Sequence, residues 1–259
     1  MLPIMPLPTA NYSMPTIDDV LTGQAKWTIG NCNGFTLAGL MIDGAVDHVI
    51  GDPPYDEKTH SHAKNGFRKR PVIGFDALPP PPTTFLPSLL RIAKRWTILF
   101  CAVEQIGDYK QAAGPAYVRG GFWYRPDGMP QFGGDRPAQP GEGVAIMHRA
   151  KKMRWNNHGH KAYWSCPIER SDRHHETQKP LALMLKLIEE FTDVGDVVYD
   201  PTCGFATTGI ACLRLGRCFI GCELDTPKFN DAVGRMRAEE QGLTYTDAKA
   251  GQGGLFASR

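Results

Sequence analysis

The chain has 259 residues, 42% of them hydrophobic, enough for one sizeable α/β domain with a smaller insertion and too few for two ordinary domains. Its 29 Lys and Arg against 27 Asp and Glu leave a formal charge of +2, too mild to mark a nucleic-acid binder, so the placement of the basic residues matters more than their number. No stretch has the apolar length to span a bilayer, and seven cysteines without a C-x-x-C pair read as reduced thiols, so a soluble, cytoplasmic protein is expected.

Residues 1–26 read as an N-terminal arm, with Pro3, Pro6, Pro8 and Pro15 making the first part polyproline-like. From Trp27 the pattern becomes α/β: a short strand at Trp27 to Gly30, a helix at Phe35 to Met41, and a buried strand at Asp47 to Ile50 ending at Gly51. Asp56 to Arg70 is polar and basic, with Lys58, Lys64, Arg68, Lys69 and Arg70, and reads as a long loop.

After the proline run at 79–82, a helix is expected from about Thr84 to Lys94, with Phe85, Leu89 and Ile92 on one face. A buried strand at Trp96 to Cys101 and a short helix near Glu104 to Ala113 follow. Tyr117 to Tyr124 and Gly143 to Met147 look like strands around a Gly/Pro-rich excursion, Arg125 to Gly141, suited to the antiparallel edge of a mixed sheet.

Between His148 and His175 periodicity gives way to interleaved charge and rings, including Arg149, Lys151, Lys152, Arg154, Trp155, Lys161, Arg170 and Arg173. That mixture suits phosphate contact with base stacking, and equally a solvated loop with a few packed rings. The last third is more regular: a helix introduced by Pro180, a strand at Asp196 to Tyr199, a helix from about Ala206 to Leu215, a strand at Cys218 to Cys222, and a helix from about Pro227 to Glu240. This is the nucleotide-binding half of a doubly wound sheet. Cys218 and Cys222 lack partners for a zinc site, so no metal is expected, and 241–259 reads as a C-terminal tail whose last part, Gly251 to Arg259, has the composition of a frayed terminus.

Asp52-Pro53-Pro54-Tyr55 stands at the end of a buried strand. Its prolines fix φ and carry no N–H, leaving a rigid backbone that presents acceptors, the Asp52 carboxylate and the Pro53 carbonyl. Such acceptors suit an exocyclic amine, a poor nucleophile whose lone pair is delocalised until its protons are held and its nitrogen is pushed toward sp³ geometry. Tyr55 supplies a ring for a base taken out of its stack, and no Cys nucleophile is needed.

Taken in order, Gly30-Asn31-Cys32, Asp52-Pro53-Pro54-Tyr55, His175-Glu176-Thr177-Gln178-Lys179-Pro180, Asp200-Pro201-Thr202-Cys203-Gly204 and Gly221-Cys222-Glu223-Leu224-Asp225 resemble the β-class DNA amino-methyltransferases. The resemblance covers about Trp27 to Glu240. It implies a circularly permuted, Rossmann-like methyltransferase fold, a mixed sheet flanked by helices with a small target-recognition insertion. The implied segments are a catalytic half at 27–147, a recognition segment at 148–174 and a cofactor half at 175–240. The order separates the chain from glutamine methyltransferases of release factors, whose Pro-Pro-Tyr motif follows the glycine-rich one.

The resemblance further implies transfer of a methyl group from S-adenosyl-L-methionine to a flipped base in double-stranded DNA, with Asp-Pro-Pro-Tyr leaning toward adenine N6. N4-cytosine methylation, RNA amino-methylation and a catalytically impaired DNA-binding homologue are the alternatives. Asp52, Pro53, Pro54 and Tyr55 are the implied catalytic residues. The implied cofactor residues are Asn31, Cys32 and Asp52; Thr177, Gln178 and Lys179; Asp200 to Gly204, with Ala206, Thr207 and Thr208; and Glu223, on the ribose, with Leu224. Asp225 is expected to cap the helix after it. The basic residues of 56–70 and 148–173 are the implied DNA contacts. A homodimer is expected, since one short recognition segment reads little of a site. Such an enzyme works beside a cognate restriction endonuclease or alone. Two departures stand out: Asn31 where the family usually has Asp, and Thr202-Cys203-Gly204-Phe205-Ala206 where it typically has Phe-x-Gly-Ser-Gly.

Overall fold

A computed structural model describes residues 13–55, 82–128, 130–131, 133–169 and 178–249. The first twelve residues, the basic stretch after Tyr55 that was expected to form a loop, and the candidate residues Lys58, Lys64, Arg68, Lys69, Arg70, Arg170, Arg173 and Thr177 lie outside them. The chain divides into two compact units, one of Met1–Gly34 with Glu169–Arg259, the other Phe35–Ile168.

In the first unit, strands β1 (Trp27–Gly30), β8 (Cys218–Cys222) and β7 (Val197–Asp200) pair in parallel in that order. β8 is buried along its whole length, which is why an unbroken apolar run reads as a central strand. Helix Leu181–Phe191 starts at Pro180 and buries Leu183, Met184, Leu187, Ile188 and Phe191, a stripe at spacings of three and four. Helices Thr207–Arg214 and Thr226–Glu240 complete the alternation. The Asp225 carboxylate accepts from the Lys228 N–H, 2.9 Å away, and caps the second of them.

Both ends of this unit hold structure where an arm and a tail were expected. Thr16 and Asp19 form a reciprocal capping box that starts helix Ile17–Leu21, and the Thr28 hydroxyl of β1 donates to the Pro15 carbonyl. Helix Tyr245–Lys249 packs its tyrosine into a gap that Gly234 leaves open, since a Cβ there would lie 2.9 Å from the Tyr245 ring. The Tyr245 hydroxyl donates to Asp231 at 2.6 Å. Both helices have five residues, too short for apolar periodicity to show.

The second unit carries a five-stranded mixed sheet in the order β2 (His48–Gly51), β3 (Trp96–Cys101), β5 (Gly141–His148), β4 (Tyr117–Tyr124) and β6 (Tyr163–Ser165). β2 and β3 are parallel, β5 runs antiparallel to both β3 and β4, and β6 is parallel to β4. Helix Leu86–Ile92 buries Leu86, Leu89 and Ile92 beside them. The expected antiparallel β4–β5 arrangement is present, but the strand beyond β4 is β6, which lies inside the segment expected to serve recognition. Trp164 of β6 is 3% exposed and the Trp123 indole N–H donates to the Cys166 carbonyl at 2.9 Å, so these rings belong to the core. Three residues with polar flanks give too short a run for a strand pattern to stand out.

Among the described residues no helix is long and apolar enough to cross a membrane.

Candidate active site

Asp52-Pro53-Pro54-Tyr55 leaves the carboxyl end of β2, where all four strand residues are buried. Antiparallel β5 places Gly143 opposite Cys101, the last residue of β3, so Glu142 arrives at that same carboxyl edge. The Tyr55 hydroxyl lies 2.6 Å from Glu142 Oε2 and 3.1 Å from Asp52 Oδ1. Arg125 Nη1 sits 3.5 Å from the other Glu142 oxygen, with its guanidinium over the Trp123 ring at 5.7 Å. Burial first, then the Asp52 and Glu142 carboxylates, hold the Tyr55 phenol well above its ordinary range, so it stays protonated and donates.

The candidate cofactor residues of the first unit form a separate cluster. Asp200, 2% exposed at the end of β7, accepts from the Thr202 N–H at 3.0 Å and from the Thr208 hydroxyl at 2.7 Å. Glu223, just past β8, accepts from the Gly204 N–H at 3.0 Å and the Asp225 N–H at 2.9 Å. The Cys203 N–H donates to the Cys222 carbonyl at 2.8 Å. Burial pushes the Cys203 thiol well above its usual range, which makes it a packing group rather than a nucleophile. Thr207 accepts from Arg235, which also donates to the Phe205 carbonyl at 2.9 Å.

Gly34 packs directly on Pro201: a Cβ at Gly34 would lie 2.2 Å from the Pro201 carbonyl oxygen, and the Tyr199 hydroxyl donates to the Gly34 carbonyl at 2.6 Å. Asn31 donates its amide to the Glu223 and Leu224 carbonyls at 2.8 and 3.1 Å, and its oxygen accepts from Thr226 at 2.8 Å. The two carbonyls fix the amide orientation. That leaves the amide oxygen one lone pair for the cofactor contact expected of Asn31. Cys32 Sγ lies 3.6 Å from Cys222 Sγ, Gln178 is buried, Lys179 is half-buried and Leu224 is 67% exposed.

At the atypical loop the backbone keeps a conformation that glycine adopts most easily. Gly204 has φ +51° and Ala206 has φ +56°, so an alanine occupies the left-handed region at the position of the family's second glycine. The aromatic missing at Thr202 has a counterpart in Phe205, which is 8% exposed. It packs edge-on to Tyr245 at 5.6 Å, with the Arg235 guanidinium over its ring.

Of the candidate DNA contacts within the described residues, Lys151, Lys152, Arg154 and Lys161 are exposed and Trp155 is half-buried. Arg149 is committed to the Arg91 carbonyl at 2.6 Å and to Asp43 at 3.7 Å. Sequence reasoning missed Glu142 and Arg235, single charged residues inside a strand and a helix with no motif to mark them. Gly34 was missed as well, and its only signal is its place after Gly30-Asn31-Cys32.

Residues 121–233 match the family model for N6/N4 DNA methylases. That match spans less than half of the chain, and it is to this family that the chain is similar. It is 36% identical over 91 residues to the type II methyltransferase M.BglI of Bacillus subtilis, an alignment spanning 35% of this chain and 26% of that protein. It is 28% identical over 136 residues to the type II methyltransferase M.HinfI of Haemophilus influenzae, spanning 45% and 38%. The matched regions therefore cover well under two thirds of these relatives. Among solved structures, M1.HpyAVI in complex with S-adenosylmethionine aligns at TM-score 0.60 and 25% identity, over 81% of this chain and 99% of that one. The cytosine-N4-specific PvuII DNA methyltransferase aligns at TM-score 0.65 over 88% and 91%, and at 12% identity this is a likeness of fold alone.

Proposed function

We propose that this chain transfers a methyl group from S-adenosylmethionine to the N6 amino group of adenine in duplex DNA. The observation that carries the reading is Asp52-Pro53-Pro54-Tyr55 at the carboxyl end of a buried strand, with the Tyr55 hydroxyl anchored so that its ring is held beside the Asp52 carboxylate.

The first unit's residues fit the cofactor. Each Glu223 carboxylate oxygen uses one lone pair on a backbone N–H and retains capacity for a ribose hydroxyl. Leu224 offers an exposed apolar surface to a purine ring. Thr202 Oγ1 is buried without a protein hydrogen-bond partner among the described residues, and a Cβ built on Gly204 meets nothing within 4 Å. Bound there, S-adenosylmethionine supplies an electrophilic sulfonium methyl group.

The chain's own work is on the amine. Asp52 and the Pro53 carbonyl accept its two protons, which holds the nitrogen lone pair out of the ring plane. Tyr55 stacks on the extruded base and replaces part of the lost stacking. The exposed Lys151, Lys152, Arg154 and Lys161 provide phosphate contacts, and a homodimer places two such segments along the DNA.

Nucleoside mass spectrometry of duplex DNA incubated with the chain and S-adenosylmethionine tests this, the expected product being N6-methyladenine. N4-methylcytosine alone would overturn the choice of base, and no methylated nucleoside would overturn the activity. Light scattering at working concentration should give the mass of a dimer, and a fully active monomer would remove that part.

A further inference from the structure

Resting on the reading above for the cofactor alone, we infer that Cys32 and Cys222 form an oxidisable dithiol: a hydroperoxide converts the pair to a disulfide, and the bridged chain holds S-adenosylmethionine poorly. Of the seven cysteines six are buried and Cys32 alone is partly exposed, so an oxidant in solution meets Cys32 first. Its Sγ lies 3.6 Å from Cys222 Sγ.

The pairing follows from the backbone. Gly30, the last residue of β1, stands opposite Cys222 in the parallel ladder with β8. A Cβ on Gly30 would lie 3.0 Å from Cys32 Sγ, so the missing side chain leaves the space through which the Cys32 sulfur reaches Cys222. Cys222 is fully buried, with the Tyr199 hydroxyl 3.5 Å from its sulfur. Burial pushes the Cys222 thiol up, so it stays protonated and reacts second.

In the first step the Cys32 sulfur attacks one peroxide oxygen and the O–O bond breaks. The departing oxygen takes the thiol proton and leaves as water, and Cys32 becomes a sulfenic acid. The Cys222 sulfur then attacks the Cys32 sulfur, the S–OH bond breaks, and the hydroxyl leaves as water with the Cys222 proton. Two thiols are oxidised to one disulfide and one peroxide is reduced to two waters. A disulfide needs about 2.05 Å between sulfurs, so closing the 3.6 Å gap draws Cys32 onto the end of β8. Asn31 precedes Cys32 and Glu223 follows Cys222, and the Asn31 amide donates to the Glu223 carbonyl, so the bridge displaces two candidate cofactor residues together.

Treating the full chain with hydrogen peroxide, alkylating the remaining thiols and mapping peptides without reductant tests the bridge independently of activity. The expected result is an intact mass lower by two hydrogens and a peptide pair joining Cys32 to Cys222. Cys222→Ala should instead stop at the Cys32 sulfenic acid, which dimedone traps as a single adduct. A bridge between other cysteines, or Cys32 carried on to sulfinic acid without a bridge, overturns the inference and leaves the functional reading intact. Calorimetric titration with S-adenosylmethionine reads the consequence: affinity should fall about tenfold or more on bridging, the scale of coupling between two sites, and return with dithiothreitol. Unchanged affinity in the bridged chain overturns the link to the cofactor. Absence of binding by the reduced chain overturns the functional reading and leaves the mapped bridge standing.

Discussion

The two candidate clusters, one in each unit, are held together by different means. Around Asp52 and Tyr55 the organisation is side chain to side chain: a hydroxyl, two carboxylates and a guanidinium within hydrogen-bond or ion-pair distance on rigid strand ends. Around Asp200 and Glu223 it is largely side chain to backbone, two carboxylates pinning the N–H groups of Thr202, Gly204 and Asp225. Where atoms of side chains do the work, residue identity has to be kept, and the tetrapeptide is intact. Where a backbone path does the work, residues can change while the path persists, as Ala206 at φ +56° illustrates.

The dependence on residue identity is greatest at Asp52. Asp52→Ala is expected to lower kcat by about a thousandfold, the scale of removing a transition-state hydrogen-bond partner, while S-adenosylmethionine still binds. Turnover within tenfold of wild type would mean that residue identity is not what the tetrapeptide supplies. Gly34→Ala attacks the other half through its backbone. A Cβ 2.2 Å from the Pro201 carbonyl oxygen forces β1's exit and the Asp200–Gly204 loop apart. We expect a loss of about 3 kcal/mol of stability, read in a denaturant melt, and weaker cofactor binding by calorimetry. An unchanged melt would show that the loop tolerates displacement.

The same contrast explains what was legible in the sequence. β8 and β3 read correctly because five or six consecutive buried residues leave a continuous apolar run. The helix after Pro180 read correctly because its buried stripe keeps helical spacing over eleven residues. The tetrapeptide read as a candidate site because its four residues are contiguous. Glu142 did not, because its place beside Tyr55 comes from register: only the pairing of β5 with β3 brings it to the edge where β2 ends. Likewise the Gly34 contact with Pro201, a long way off in sequence, is invisible until the strands are paired. Thr16-Ile17-Asp18-Asp19 was in principle readable as a capping signature, but a five-residue helix gave it no periodic partner.

A matched pair of substitutions in the 202–206 loop probes the backbone path at lower energy. Gly204→Ala meets nothing within 4 Å, so its cost isolates the left-handed backbone, and about 1 kcal/mol of destabilisation is expected after the unfolded-state entropy gain. Ala206→Gly relieves the same strain but adds unfolded-state entropy and removes a fully buried methyl, so the terms offset to within about 1 kcal/mol. A large stabilisation by Ala206→Gly in thermal melts would mean the alanine is a burden on the loop rather than an accommodated change.

The smallest effect lies in the second unit's core. His148 is 4% exposed, edge-on to the Trp96 ring at 4.5 Å, and burial, with Arg95 and His48 nearby, holds its imidazole below the ordinary histidine range. The unfolded chain therefore binds a proton at a higher pH than the folded one. Stability should be full above the ordinary histidine range and fall as pH drops through that range toward the depressed folded value, with a slope of at most one proton. Denaturant melts across neutral to mildly acid pH measure that slope, and His148→Phe should flatten it. A slope unchanged in His148→Phe would move the proton uptake to another group and leave this histidine a packing residue alone.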